Sequence, residues 1–134
     1  MIGIVIVAHG GLAREYRAAM EHVVGRCDGI RAIAIGADDT RGSKQAEIDS
    51  AVAEVDTGAG VVVVTDVFGG TPSNLAMAAC SAKNRKVLYG VNVPMLLKLA
   101  KTRHLPLDEA VGCALAAARK YINCADGFGV RAAE

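Results

Sequence analysis

The sequence predicts an α/β fold built on a single open, mainly parallel, doubly wound sheet with strand order 2-1-3-4 and helices on both faces. Three β-branched apolar runs, at 2–8, 30–35 and 61–65, are typical of strands buried on both faces. Segments with helical spacing separate these runs, and such alternation favours parallel pairing. With 134 residues, 52% of them hydrophobic, the chain suits one domain, 1–134, around a buried core.

The first two strands each lead into an amphipathic segment. The strand over 2–8 is followed by a helix that is expected to end at Gly25. The strand over 30–35 is followed by a second helix over 40–55. The apolar residues of the first helix follow the i, i+4, i+7 spacing of one buried face: Leu12, Tyr16, Ala19, Met20, Val23 and Val24.

The second half of the chain repeats the alternation. Strand 61–65 is followed by a helix over 73–82 and by a shorter strand over 86–91. Two further helices are predicted at 95–101 and 107–124, with Asp108 as the expected cap of the last one. The tail, 127–133, is predicted to form a short edge strand.

Charge and composition argue against several classes of function. The net charge is +1 and the 15 Lys and Arg are spread along the chain, whereas a nucleic-acid surface needs clustered basic residues. No apolar stretch approaches the roughly 20 residues that span a membrane. The first apolar run lacks a basic flank, so it is interpreted as a strand and not as a signal peptide. We therefore expect a cytoplasmic protein that approaches a membrane only through its partners.

Four cysteines occur without a CxxC pair. Cys27, Cys80, Cys113 and Cys124 lie in apolar or helical contexts. This usage favours buried free thiols in a reducing compartment.

A histidine and an aspartate follow the two strands between which a ligand is expected. In an open parallel sheet, ligands bind beyond the carboxyl ends of the strands, where neighbouring strands send their helices to opposite faces. In a 2-1-3-4 order that point lies between strands 1 and 3. His9 follows the first of these strands and Asp66 follows the other. We therefore expect the two side chains to meet.

These residue types suit a carrier of phosphoryl groups. Imidazole is a nucleophile near neutral pH, and a carboxylate at its other nitrogen fixes the tautomer and stabilises developing positive charge. Gly10, with Gly11, leaves the ring uncovered. Backbone N–H groups and hydroxyls after strand 3 are expected to bind phosphoryl oxygens. We assign that role to Gly69, Gly70, Thr71 and Ser73, together with Gly10, and the scheme calls for no metal and no cofactor.

Each motif also has a purely structural interpretation. His9 and its two glycines suit a turn, and Thr71 with Pro72 suits a capped helix start. Because both motifs are predicted at the same edge of the sheet, a functional role is favoured over a purely structural one. His22 and His104 are expected to have surface or capping roles.

Three segments resemble the IIA component of the mannose (sorbose/fructose-like) family of the bacterial phosphoenolpyruvate-dependent sugar phosphotransferase system. They are 4–10 (IVIVAHG), 64–74 (VTDVFGGTPSN) and 90–96 (GVNVPML). The resemblance implies that His9 is phosphorylated by the histidine-containing phosphocarrier protein and that Asp66 bonds the ring. It also implies that 90–94 borders the pocket and that a C-terminal strand is exchanged in a homodimer.

The destination of the phosphoryl group stays open. Many members of the family continue into a IIB domain that receives it, so the acceptor is either a separate IIB component or the target of a regulatory branch whose phosphorylation state a partner reads. Two alternatives keep a histidine after the first strand: the phosphotransfer subunit of dihydroxyacetone kinase, and a small tetrapyrrole chelatase that binds metal through it.

Overall fold

A parallel sheet forms the centre of the structure, a computed structural model that describes residues 1–82 and 84–126. Its strands are β1 (Gly3–His9), β2 (Ile30–Ile35), β3 (Val61–Thr65) and β4 (Arg85–Leu88), and they lie in the order β2-β1-β3-β4. The helices in the described ranges are α1 (Leu12–Val24), α2 (Arg41–Val55), α3 (Thr71–Ala79), α4 (Val93–Lys101) and α5 (Leu107–Lys120). The predicted α/β class and strand order are confirmed.

Alternating side chains of β1 explain why its sequence is apolar without interruption. Ile4 and Ile6 pack in a core with α1, α4 and α5, whereas Val5 and Val7 pack in a second core with α2 and α3. Both faces of the sheet are therefore covered, and β1 is buried from Gly3 to Ala8. The helices that follow β1 and β3 lie on opposite faces, which places the switch point between these two strands.

Several element ends differ from the predictions. His9 pairs with Ile35 and is the last residue of β1, not the first residue of a loop. Strand β4 ends at Leu88, because Gly90 turns the chain with a φ of +74°. Helix α3 begins at Thr71, two residues before its predicted start.

The last helix corrects two predictions. Helix α5 ends at Lys120, before the predicted Cys124, and Pro106 occupies its N-cap position. Asp108 is therefore a residue of the first turn and not the cap. The predicted edge strand over 127–133, and with it the proposed strand exchange, lies outside the described residues.

All four cysteines are free, as predicted, but the expectation that they are buried is wrong. Cys27, Cys80 and Cys113 are half-buried, and Cys124 is exposed. Burial raises the pKa of the Cys80 thiol to about 11, so this side chain is a poor nucleophile. His22 and His104 are exposed, in agreement with a surface role. Over residues 1–82 and 84–126, none of the helices has both the length and the apolar character needed to cross a bilayer.

A buried arginine connects the segments that enter β1 and β2, at the amino-terminal ends of the strands. The Arg103 guanidinium donates to the carbonyl oxygens of Ile2 (2.8 Å), Asp28 (2.7 Å) and Gly29 (3.3 Å). Burial lowers the pKa of Arg103 from its ordinary value. Because these carbonyls belong to the segments that enter β1 and β2, Arg103 fixes how the two strands start beside each other.

We expect Arg103→Met to lower the free energy of unfolding by about 1–3 kcal/mol, because it leaves carbonyl groups without their donor. Urea denaturation with Arg26→Met as an exposed control measures the difference. Equal stability of the two variants would contradict this role for Arg103.

Candidate functional site

The parallel pairing of β1 and β3 brings His9 and Asp66 together. Val7 lies opposite Thr65 in the register, so the two chains leave the sheet at neighbouring positions. The ring Nδ1 of His9 lies 2.8 Å from Oδ2 of Asp66. The predicted meeting of the imidazole and the carboxylate is therefore present in the structure.

Asp66 is held by its neighbours on both carboxylate oxygens. Oδ2 also accepts the backbone N–H of His9 at 3.1 Å, and Oδ1 accepts the backbone N–H of Val67 at 2.9 Å. Partial burial raises the pKa of Asp66, but the hydrogen bonds from His9 and Val67 outweigh it, so the pKa lies below its ordinary value. The carboxylate is therefore ionised at neutral pH.

The ionised carboxylate determines the tautomer of the ring. A carboxylate accepts hydrogen bonds but cannot donate one, so Nδ1 of His9 must carry the proton that they share. In the neutral ring, Nε2 then has the free lone pair. The His9 side chain is 52% exposed and that of Asp66 only 13%, so the nucleophilic nitrogen belongs to an accessible ring with a covered partner.

Two glycines at the site are required for different reasons. Gly10 has a φ of +57°, in the left-handed region, and a Cβ there would meet no atom within 4 Å, so the requirement is conformational. Gly70 has an ordinary φ of −86°, but a Cβ there would lie 3.3 Å from Cε1 and 3.6 Å from Nε2 of His9. The absence of a side chain at Gly70 therefore lets its backbone approach the Cε1–Nε2 edge of the ring closely.

The loop after β3 is closed by Ser73. Its buried hydroxyl accepts the N–H of Gly69 at 2.8 Å and donates to the carbonyl of Gly70 at 3.0 Å. This hydroxyl therefore makes its hydrogen bonds within the loop, whereas the sequence analysis expects it to bind the phosphoryl group. The N-cap position of α3 belongs to Gly70 and not to Thr71, which was the cap in the purely structural interpretation of this motif.

The start of α3 suits an anion next to Nε2. The first N–H groups of a helix have no intrahelical partner and carry its positive dipole end. Gly70 and Thr71 provide this end beside the ring, and Pro72, which has no N–H, follows them. The backbone here can bind the oxygens of a phosphoryl group on Nε2.

A cavity of about 420 Å³ opens on the side of His9 that faces β2 and α2. Its lining combines the site with the β2–α2 loop: His9, Gly10, Ile35, Gly36, Ala37, Asp39, Thr40, Arg41, Lys44, Thr71 and Leu75. Sequence reasoning missed this contribution of the β2–α2 loop. The predicted strand order could have indicated it, because the loop follows the carboxyl end of β2, which lies next to β1.

The segment 90–94, which the resemblance places at the border of the pocket, supports Asp66. The N–H groups of Gly90 and Val91 donate to the carbonyls of Asp66 and Thr65, each at 3.1 Å. The segment does not contribute to the cavity wall described above. Its contact with the site is therefore made through the backbone that carries Asp66.

Exposed apolar side chains follow three strand ends at this edge of the sheet. The Phe68 side chain is 61% exposed and Tyr89 is 57% exposed, and their ring centroids lie 4.9 Å apart. Leu12 and Val67 are exposed as well. Large apolar groups on the surface beside a reactive side chain are typical of a surface that meets another protein.

Comparison with known proteins identifies relatives of this arrangement. A family model described as "PTS system fructose IIA component" matches residues 3–114. The chain is 29% identical over 124 residues to the "PTS system mannose-specific EIIAB component" of Escherichia coli K12, a match that takes in 90% of this chain and 38% of that protein. The chain thus spans well under half the length of this relative.

A second relative and two solved structures are also IIA components of the phosphotransferase system. The chain is 31% identical over 98 residues to the "PTS system sorbose-specific EIIA component" of Lacticaseibacillus casei, covering 72% of this chain and 70% of that one. The crystal structure of a phosphotransferase system EIIA component from Streptococcus agalactiae superposes with a TM-score of 0.82 at 27% identity, covering 91% and 95% of the two chains. A mannose/sorbose specific IIA subunit from Enterococcus faecalis, at 24% identity, has the same fold, with a TM-score of 0.83 and coverage of 93% and 95%.

We expect Asp66→Ala to fold but to lose the fixed tautomer of His9, because Nδ1 no longer faces an ionised acceptor. Long-range ¹H–¹⁵N NMR of the ring nitrogens distinguishes the two tautomers, with Asp38→Ala as an exposed control. A ring that stays protonated on Nδ1 in Asp66→Ala would refute the assignment.

Proposed function

The chain belongs to the mannose-type IIA family of the bacterial phosphotransferase system, and on that premise we propose that Nε2 of His9 accepts a phosphoryl group from the histidine-containing phosphocarrier protein. Components of this family are phosphotransferase-type proteins of sugar transport. The observation that carries the proposal is the 2.8 Å contact between Nδ1 of His9 and Asp66, which leaves Nε2 as the nucleophile.

The transfer exchanges one P–N bond for another. The lone pair of Nε2 attacks the phosphorus of the donor's phosphohistidine, and the donor's nitrogen leaves with the bonding electrons. The ring of His9 becomes cationic as the new bond forms, and the ionised Asp66 stabilises this charge through Nδ1–H. Onward transfer reverses the steps, with Nε2 as the leaving group.

The residues around the ring have separate roles in this proposal. The N–H groups of Gly70 and Thr71, with the Thr71 hydroxyl, bind phosphoryl oxygens, and Gly69 contributes the turn that aims them. Ser73 holds Gly69 and Gly70 in place, which revises its role from ligand to support. Gly10 leaves room above the ring for the donor, which would meet Phe68 and Tyr89 as it approaches.

The acceptor in the proposal is a IIB component or a regulatory target. The name of the Escherichia coli relative joins A and B components in one protein, which supports a IIB acceptor. The homodimer stays a prediction, because the segment that would be exchanged lies outside the described residues.

Incubation with enzyme I, the phosphocarrier and ³²P-phosphoenolpyruvate tests the function. We expect one acid-labile, base-stable label on the wild-type chain, none on His9→Ala, and normal labelling of His104→Ala. Label that persists in His9→Ala, or wild-type protein that takes up no label, would refute the proposal. Rapid loss of label to an added IIB protein supports a transport relay, whereas label that is retained while affinity for a partner changes supports a regulatory branch.

We expect Gly70→Ala to retain its stability within about 1 kcal/mol, because its φ is open to any residue, but to accept the phosphoryl group at least tenfold more slowly. The added methyl group would press on Cε1 of His9 and lie in contact with Nε2, beside the position where the phosphoryl group is accepted. Rapid-quench transfer kinetics and urea denaturation measure the two effects, with Gly42→Ala, in open space on α2, as the matched control. Wild-type transfer by Gly70→Ala would contradict the close-approach argument.

A further inference from the structure

Two cations, Arg41 and Lys44, line the cavity, and only Lys44 has a carboxylate partner among the described residues. Among the residues that the structure describes, Arg41 makes no ion pair, whereas Lys44 pairs with Glu47 at 2.9 Å and with Asp39 at 3.8 Å. Oδ2 of Asp39 also accepts the N–H of Gly36 at 2.6 Å. The carboxylate on this wall is therefore already engaged, and the wall carries a net positive charge.

The position of Arg41 is fixed although its side chain is exposed. Arg41 is the first residue of α2, whose cap is Thr40, and the Thr40 hydroxyl accepts the N–H of Ser43 at 3.3 Å. Lys44 lies three residues further on, so both cations project from the same side of the helix. Ile35 and Leu75 provide an apolar floor, which strengthens charge interactions above it.

We propose that this cavity is an anion pocket in which the Arg41 guanidinium binds phosphoryl oxygens beside His9. A guanidinium offers paired N–H donors that match two oxygens of one phosphate, which makes arginine the residue suited to such a group. His9, Thr71 and Arg41 line the same cavity, so the guanidinium, the ring and the start of α3 face one shared space. The phosphoryl group comes either from His9 itself or from free phosphate, and the first source rests on the proposed function.

The equilibrium of phosphoryl exchange tests the first source. Labelled phosphocarrier is mixed with the chain, and the ratio of the labelled proteins is measured after exchange has stopped changing. Because this equilibrium compares free proteins, a contact made only within the docked complex does not affect it. We expect Arg41→Gln to reduce the equilibrium constant for loading about fivefold to tenfold, and Arg41→Lys to reduce it less. Arg119→Gln, at the end of α5, is the matched control and should equal wild type.

Titration with inorganic phosphate tests the second source. In His9→Ala, which cannot be phosphorylated at this position, phosphate should shift the backbone amide signals of Gly36, Thr40 and Thr71 saturably. The shifts should disappear in the double variant with Arg41→Gln and weaken with added salt.

The outcomes separate this inference from the proposed function. A reduced loading equilibrium in Arg41→Gln supports a phosphoryl group held on His9, and phosphate binding that depends on Arg41 supports a free anion. Unchanged equilibrium and absent binding overturn the pocket while labelled His9 still supports the proposed function. If Arg41→Gln slows forward and reverse transfer equally, leaves the equilibrium unchanged and shows no phosphate binding, the pocket is also overturned. Arg41 would then contact the partner protein in the docked complex. Failure of wild-type labelling removes the proposed function, and the phosphate titration then decides the pocket alone.

Discussion

The hydrogen bond between Nδ1 of His9 and Asp66 depends on the pairing of β1 with β3, and the chemistry of the site depends on that bond. Neither residue is close to the other along the chain, and only the parallel register brings the two strand ends together. Because the carboxylate also accepts two backbone N–H groups, the fold itself holds it in place. In the proposed transfer, little reorganisation is then needed when the ring becomes cationic, which is how a fixed dipole or charge lowers a barrier.

The two members of this pair have opposite environments, because the His9 side chain is 52% exposed and that of Asp66 only 13%. The proposed transfer needs a ring that another protein can reach and a carboxylate that stays covered, because solvent weakens the interaction between exposed charges. Strand β1 delivers His9 at its last paired residue and then turns away through Gly10. Asp66 lies one residue beyond β3, and the N–H of Gly90 donates to its backbone carbonyl, which fixes the position from which the side chain extends to His9.

The sequence was sufficient for the features that depend on patterns along the chain. The bounds of β2 and β3 were predicted to the residue because both are β-branched runs, and the meeting of His9 with Asp66 followed from strand order. The start of α3 was misplaced, because Gly70 takes the cap position by virtue of its extended backbone and not of its side chain. The cavity wall at Arg41 and the carbonyl contacts of Arg103 arise from segments distant in sequence, so no local pattern indicates them.

In the proposed scheme the site must stabilise two opposite charges at the two ends of one ring. Asp66 compensates the positive charge at Nδ1, and the start of α3 with Arg41 compensates the negative phosphoryl oxygens near Nε2. A carrier must also release its cargo, so a deeply buried cation would hold the phosphoryl group too firmly. An exposed arginine interacts through solvent and contributes only modestly, because water and salt screen it. The exposure of Arg41 is thus consistent with reversible transfer, in which the loaded and unloaded states must remain close in free energy.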